Sequence, residues 1–334
     1  MSEFEPLRCG IVGLKWGRIH GVAAKQTDKV DIVACFSRRK SMRDFYRRDF
    51  GGEECTSLEE MLARDDIECI ILATPNTIHA EHTLLAAEAG KHVLVEKPIA
   101  NTLADARRMI DACRAAGVTL AVSHSQRWHP QFRRMKKAMD DGDIGRPLMA
   151  QTHASHNGGF RYKPGDWRFS METCPGGALI QLAVHHVDTL RYFFGEIKTI
   201  TGVHDRLMLT GDNPDITTTI LEFDSGVQAT IGSSYILNAN YYIVHGTEGG
   251  LYAGRSWGEK LKLIQRDSVT TYRLPDVPGV TPRELEDLAE NLRAGRPVEV
   301  DGESGLRNLA AIWASLKSAA EKRPVTMAEM LASG

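Results

Sequence analysis

Short apolar runs rich in β-branched residues recur along the first 125 positions, at 9–14, 30–36, 68–73, 92–95 and 118–123. Each is too short for a helix and is bounded by Gly, Pro or polar residues, the pattern of parallel strands buried on both faces. Between them lie helical stretches with marked ends. Ser57 and Glu60 read as a capping box, Gly90 closes a helix over 78–89, and Thr102 with Asp105 opens another. Repeated βαβ units predict an α/β fold with a doubly wound parallel sheet over residues 1–125. From Pro147 the texture changes to longer alternating strands. Runs at 216–223 and 227–236 flank Asp224-Ser-Gly226, a hairpin connection in which Gly supplies positive φ. With further strands at 197–203, 241–245 and 261–265 and a helix over 303–321, residues 126–334 read as an α+β domain with an antiparallel sheet.

Composition changes little in this picture. The 334 residues are 42% hydrophobic and 25% charged, enough apolar material for two cores and too much for disorder. The six Cys, at 9, 35, 55, 69, 113 and 174, have no Cys-x-x-Cys pair, so neither a disulfide scaffold nor a metal site is indicated. A net charge of -2 with no long run of one sign argues against nucleic acid and for small-molecule partners. No apolar run reaches the roughly 18 residues of a membrane span, and the acidic amino end lacks a leader, so the chain is read as cytoplasmic.

Three constellations carry chemistry. The first is the turn Gly13, Leu14, Lys15, Trp16, Gly17, with Gly10 before it and His20 after it, placed between the first strand and a helix. Glycines there let the backbone approach a pyrophosphate at the helix amino end. Lys15 stands where a middle glycine would be, so the turn alone is a weak signal, and its alternative is a strand-to-helix connection with incidental glycines. Some 20 residues on, Ser37, Arg38 and Arg39 end the second strand where an acid would hold an NAD ribose. A small hydroxyl followed by two guanidiniums suits a 2′-phosphate, so NADP is preferred to NAD. The alternative is that both Arg are solvated residues opening the next helix.

The second is Glu96-Lys97-Pro98, just past the fourth apolar run, at the carboxyl edge where open α/β sheets bind ligands. An ammonium near an alcohol oxygen stabilises developing alkoxide charge and relays a proton, although a lysine at a strand end is more often a surface residue. Thr74-Pro75-Asn76 at the third strand end lines the nicotinamide or is only a turn. The third is the helix over 177–194, capped by Gly195. At about 100° per residue Gln181, His185 and Asp188 share a narrow polar stripe, while His186 falls with Leu182, Leu190 and Phe193. His185 is then the candidate base, which Asp188 one turn on could orient, and His186 a core histidine, although the stripe alone is equally an exposed polar face.

Lys97 in its Glu-Lys-Pro setting, followed by Gly176-Gly177 and His185-x-x-Asp188, resembles the glucose-fructose oxidoreductase/inositol dehydrogenase (Gfo/Idh/MocA) family. The likeness runs over nearly the whole chain, through Ala73-Thr-Pro-Asn76 with His79, Ala89-Gly-Lys-His92, Asp166-Trp-Arg168 and Gly246-Thr-Glu-Gly249. It implies an N-terminal Rossmann domain, a C-terminal domain with a large open, mostly antiparallel sheet that builds a homodimer or homotetramer, and NAD(P)-dependent hydride transfer at a sugar, inositol or related carbon. Carried over by position, Lys97 and His185 are catalytic. Glu96, His79, Thr74, Pro75 and Asn76 go with the cofactor; Arg127, His156, Tyr162, Trp167, Arg168 and Gln181 are read as pocket residues. Gln181 departs from the family, many of whose members have Asp there. Two rival activities are an NAD(H)-dependent glycoside hydrolase and a cofactor-binding regulator without catalysis.

Overall fold

The computed structural model describes residues 4–163, 165–254, 260–274 and 280–332. In chain order the elements are β1 (Leu7–Val12), α1 (Leu14–Ala24), β2 (Val30–Phe36), α2 (Lys40–Phe50), β3 (Glu53–Cys55), α3 (Leu58–Leu62), β4 (Cys69–Leu72), α4 (His79–Glu88), β5 (His92–Glu96), α5 (Leu103–Ala115) and β6 (Leu120–Ser123). There follow α6 (Pro130–Asp140), β7 (Pro147–Ser155), α7 (Val184–Phe194), β8 (Ile197–Asp205), β9 (Ile216–Phe223), β10 (Gln228–Ser234), β11 (Asn240–Gly246), β12 (Gly249–Gly254), β13 (Leu261–Gln265) and β14 (Ser268–Tyr272). The chain ends with α8 (Thr281–Arg293), α9 (Gly302–Glu321), β15 (Val325–Thr326) and α10 (Met327–Ala332).

The chain divides into two compact units, Met1–Trp128 with Pro278–Leu306, and His129–Val277 with Arg307–Gly334. In the first, six parallel strands run in the order β3-β2-β1-β4-β5-β6, the doubly wound arrangement whose switch point lies between β1 and β4. β3 is absent from the sequence reading because three residues, two of them glutamates, carry no apolar pattern. The first unit also takes back chain from far along the sequence, which a boundary at 125/126 does not foresee. α8 lays Leu285, Leu288 and Ala289, spaced for one helix face, into the core formed by Cys9, Ile11, Cys69, Ile71 and Leu94.

Local signals act as the physical chemistry of caps requires. The Glu60 N–H donates to Ser57 Oγ at 3.1 Å, but the Glu60 carboxylate reaches the N–H and hydroxyl of Thr56, so the reciprocal half of the box shifts by one residue. The Asp105 N–H donates to Thr102 Oγ1 at 3.1 Å.

The second unit is built on a nine-stranded sheet in the order β14-β13-β12-β11-β7-β10-β9-β8-β15. It is antiparallel except where β10 pairs parallel with β7. Register separates its faces cleanly. Ile200, Leu221, Ala229, Ala150, Val244 and Leu251 form a buried row, and the adjacent row of Thr201, Ile220, Thr230, Gln151, Ile243 and Tyr252 is half-buried or exposed. Gly226 takes φ 84° in the β9–β10 turn. The helix expected from 177 starts instead as a π-helical turn, Leu179–Ala183, before α7. A π turn closes i→i+5 bonds and adds a residue, so the 100° wheel does not carry through it.

Candidate functional site

In the first unit the β1–α1 turn is shaped by close backbone approach. Gly13 has φ 93° and a Cβ there would lie 2.3 Å from the Ala73 carbonyl oxygen leaving β4. One turn into α1, a Cβ on Gly17 would meet Ile11 Cδ1 at 2.9 Å, so glycine lets the helix lie on the strand. No side chain caps α1 and no acid occupies its first turn. The N–H groups of Leu14, Lys15 and Trp16 therefore lack intrahelical acceptors, and Lys15 and Trp16 are exposed beside them. Amides and a helix dipole at the carboxyl edge of a doubly wound sheet suit a pyrophosphate, so these residues fit a dinucleotide.

At the end of β2 Ser37 is half-buried, while Arg38 and Arg39 are exposed. Arg39 is the N-cap of α2, with its N–H 3.4 Å from Ser37 Oγ. Arg43, held by Glu54, donates to the Ser37 carbonyl at 2.6 Å and fixes this corner. Among the described residues no ion pair engages Arg38 or Arg39.

The ends of β4 and β5 are tied together by His79. Its Nδ1 lies 3.0 Å from the Pro98 carbonyl and its Nε2 3.0 Å from the Thr74 carbonyl. Burial pushes its pKa down, and a neutral ring donates to one of these carbonyls at a time. His79 thus braces the loop carrying Thr74 and the exposed Pro75 against the Lys97-Pro98 segment, whose peptide bond is cis. Asn76 is buried and donates to Asn101 Oδ1. Lys97 is half-buried at the carboxyl edge. Glu96 faces the sheet interior, where its Oε1 accepts from His20 Nε2 of α1 at 2.8 Å. Arg127 lies in a 3₁₀ turn of this unit, buried, with Nη1 3.5 Å from the Glu299 carbonyl.

In the second unit His156, Tyr162, Trp167 and Arg168 come together. The Arg168 guanidinium lies over the Tyr162 ring at 4.8 Å and the Trp167 ring at 4.5 Å, and it donates to Asp166 Oδ1 at 3.0 Å. His156 packs at 5.2 Å on Tyr235, and its Nδ1 accepts the Gly158 N–H at 2.9 Å. Burial, then the Arg168 and Arg161 charges, push the His156 pKa down and keep the ring a neutral acceptor. Asp166, Trp167, Thr173, Thr210 and Asp212 line a cleft of about 440 Å³, with carboxylates and hydroxyls suited to polyhydroxylated ligands.

Asn213 orders this region and was not foreseen. It accepts the Gly176 N–H at 2.8 Å and donates to the Arg168 and Cys174 carbonyls, each at 2.8 Å, holding Gly176 and Gly177 at φ 78° and 54° ahead of the π turn. Asx turn chemistry in Gly211-Asp-Asn-Pro214 was the available signal. Ser233 Oγ lies 3.0 Å from the Ala154 carbonyl and 3.1 Å from the Ala178 carbonyl, and its one proton, shared between them, seats the π turn on β7 and β10. Gln181 lies in that turn and His185 in the first turn of α7, both half-buried. Asp188 differs from the polar stripe expected of it. It is buried, and its Oδ1 accepts from Asn308 Nδ2 at 2.9 Å. His186 is a core residue, stacked on Tyr242 at 4.1 Å, with burial pushing its pKa down to about 3.

Fold and residues together define an oxidoreductase with a dinucleotide-binding Rossmann unit. Residues 7–124 match the model of an oxidoreductase family with an NAD-binding Rossmann fold, and residues 132–252 match the GFO/IDH/MocA C-terminal domain. The chain belongs to the Gfo/Idh/MocA family. It is 31% identical to 1,5-anhydro-D-fructose reductase of Ensifer adhaerens, over 94% of this chain and 96% of the relative. It is 29% identical to the NADP(+)-dependent scyllo-inositol 2-dehydrogenase IolW of Bacillus subtilis (strain 168), over 97% of each. An oxidoreductase structure from Desulfitobacterium hafniense DCB-2 superimposes with a TM-score of 0.94 at 30% identity, covering 98% of this chain and 100% of that one. No helix among the described residues is long and apolar enough to cross a membrane.

Proposed function

We propose that the protein transfers a hydride between a nicotinamide cofactor and a hydroxyl-bearing carbon of a sugar, inositol or related polyhydroxylated substrate, with NADP(H) preferred over NAD(H). The cofactor preference rests on one observation, the exposed Arg38 and Arg39 beside Ser37 at the end of β2, where no acid opposes a phosphate. The substrate class is supported by the names of the relatives and by the carboxylates and hydroxyls of the second unit's cleft.

The cofactor supplies or accepts the hydride. The Lys97 ammonium holds the reacting oxygen and stabilises the negative charge that grows on it. His185 takes the hydroxyl proton in oxidation and returns it in reduction. Gln181 carries no charge and hydrogen-bonds substrate without tuning His185 as a carboxylate would. Arg127, buried against Glu299, shapes the floor of its loop, and Trp167, Arg168 and His156 line the substrate side. The enzyme works as a homodimer or homotetramer through the open row of the nine-stranded sheet. All six cysteines are buried and none forms a disulfide, in keeping with a cytoplasmic setting.

The test is nicotinamide absorbance with NADP+ and NAD+ against scyllo-inositol, myo-inositol and aldoses, and with NADPH and NADH against 1,5-anhydro-D-fructose. Turnover faster with the phosphorylated cofactor, and a kcat reduced on the order of 10²-fold or more in Lys97→Ala, is expected. Cofactor binding with no turnover in either direction would overturn the reading.

A further inference from the structure

The inner face of α1 is smooth. Leu14, Gly17, His20, Gly21 and Ala23 are its buried residues, and a Cβ on Gly21 would sit 2.7 Å from the Phe50 ring and the Tyr46 hydroxyl. The glycines set how closely α1 lies on β1 and α2, and a hydrogen bond adds a contact with a fixed direction. His20 is the polar member of that face. Its Nε2 lies 2.8 Å from Glu96 Oε1, with the two side chains 1% and 10% exposed.

The protonation state follows from the surroundings. His20 Nδ1 is buried with no hydrogen-bond partner, so the proton is assigned to Nε2, which donates to the carboxylate. Burial pushes the Glu96 carboxyl up, but the hydrogen bond from His20 and the neighbouring Lys97 charge outweigh it and hold it below the usual range. A charge-assisted bond of this kind in a low-dielectric interior is short, directional and costly to break. The neighbouring strand repeats the device. Ser123 pairs in register with Glu96, and its Oγ donates to Glu284 Oε2 of α8 at 2.8 Å.

We propose that His20 and Glu96 are positioning residues, a buried hydrogen-bonded pair that holds the amino end of α1, where the cofactor phosphates are cradled, in register with the carboxyl end of β5, which presents Lys97. The part concerning Lys97 rests on the dehydrogenase reading; the part concerning the cradle does not.

The experiment compares His20→Gln, whose amide nitrogen can stand where Nε2 stands, with His20→Leu, which removes the donor. NADPH and NADH affinities are read by nicotinamide fluorescence, alongside Tm and kcat. His20→Leu should weaken both cofactors tenfold or more and lower kcat, whereas His20→Gln should stay within about threefold of wild type for both. If His20→Leu does not fold, His20→Asn, whose amide is too short to reach Glu96, carries the same expectation. Wild-type cofactor affinity in the donor-less variant, or equal losses in the Gln variant, would overturn the proposal. Lack of turnover in the wild-type protein would count against the dehydrogenase reading alone, since binding decides the pair.

Discussion

Replacing Arg38 and Arg39 together by alanine is expected to raise the Kd for NADPH about tenfold or more, because two charge-assisted hydrogen bonds contribute roughly 1.5–3 kcal/mol each and tenfold is about 1.4 kcal/mol. The NADH affinity should change less than threefold, measured by fluorescence titration, and equal losses for both cofactors would remove the 2′-phosphate assignment. Gly13→Ala tests the cradle from the other side. Positive φ and a Cβ 2.3 Å from a carbonyl oxygen make the side chain incompatible with this turn. A loss on the order of 2 kcal/mol or more in unfolding free energy is expected, with cofactor affinity falling further. The positions of these residues were legible in the sequence because each stands at a strand end or helix start. Asp188 was not, because its partner Asn308 comes from a segment 120 residues away.

At the scale of elements, α7 carries a pH dependence. His186 is buried against Tyr242, faces the His153 charge, and has its pKa pushed down to about 3. The unfolded chain, with an ordinary histidine pKa near 6.5, binds the proton first as pH falls, so this group's contribution to stability is lost from about pH 6.5 downward. Between pH 7 and 5 the loss is about 2 kcal/mol. His204, pushed down to about 4 by burial, adds in the same direction. His186→Phe should therefore lose less stability over that interval than the wild type in denaturant melts at the two pH values. An unchanged slope would show that His186 is not neutral in the folded protein. Local periodicity placed His186 in the core correctly, since apolar neighbours recur on its face. It misjudged the start of the same helix, because nothing in the residues 179–183 announces a π turn, which Asn213 and Ser233 impose from other elements.

At the scale of the whole molecule, the nine-stranded sheet leaves one row open, and Met149, Ile220 and Ile264 are exposed apolar side chains of that sheet. The proposed assembly would cover these side chains, which otherwise face water. Ile220→Glu combined with Met149→Glu is expected to lower the solution mass from a dimer or tetramer to a monomer in light scattering, while the isolated cofactor affinity stays within about twofold. A wild-type chain that is already monomeric would refute the assembly.

The sequence by itself determined the strands and helices with strong periodicity, the capped helix starts, and the positions of the Gly13–Gly17 turn, of Ser37 with its arginines and of Lys97, because those follow from backbone preferences and short-range chemistry. Tertiary structure decided the rest. It recruited α8 into the first core, matched β10 parallel to β7, brought His156, Tyr162, Trp167, Arg168 and Tyr235 into one cluster, and joined His20 to Glu96 across 76 positions. Such pairings depend on which surfaces meet once apolar faces are buried, a property of the packed chain that no local pattern encodes.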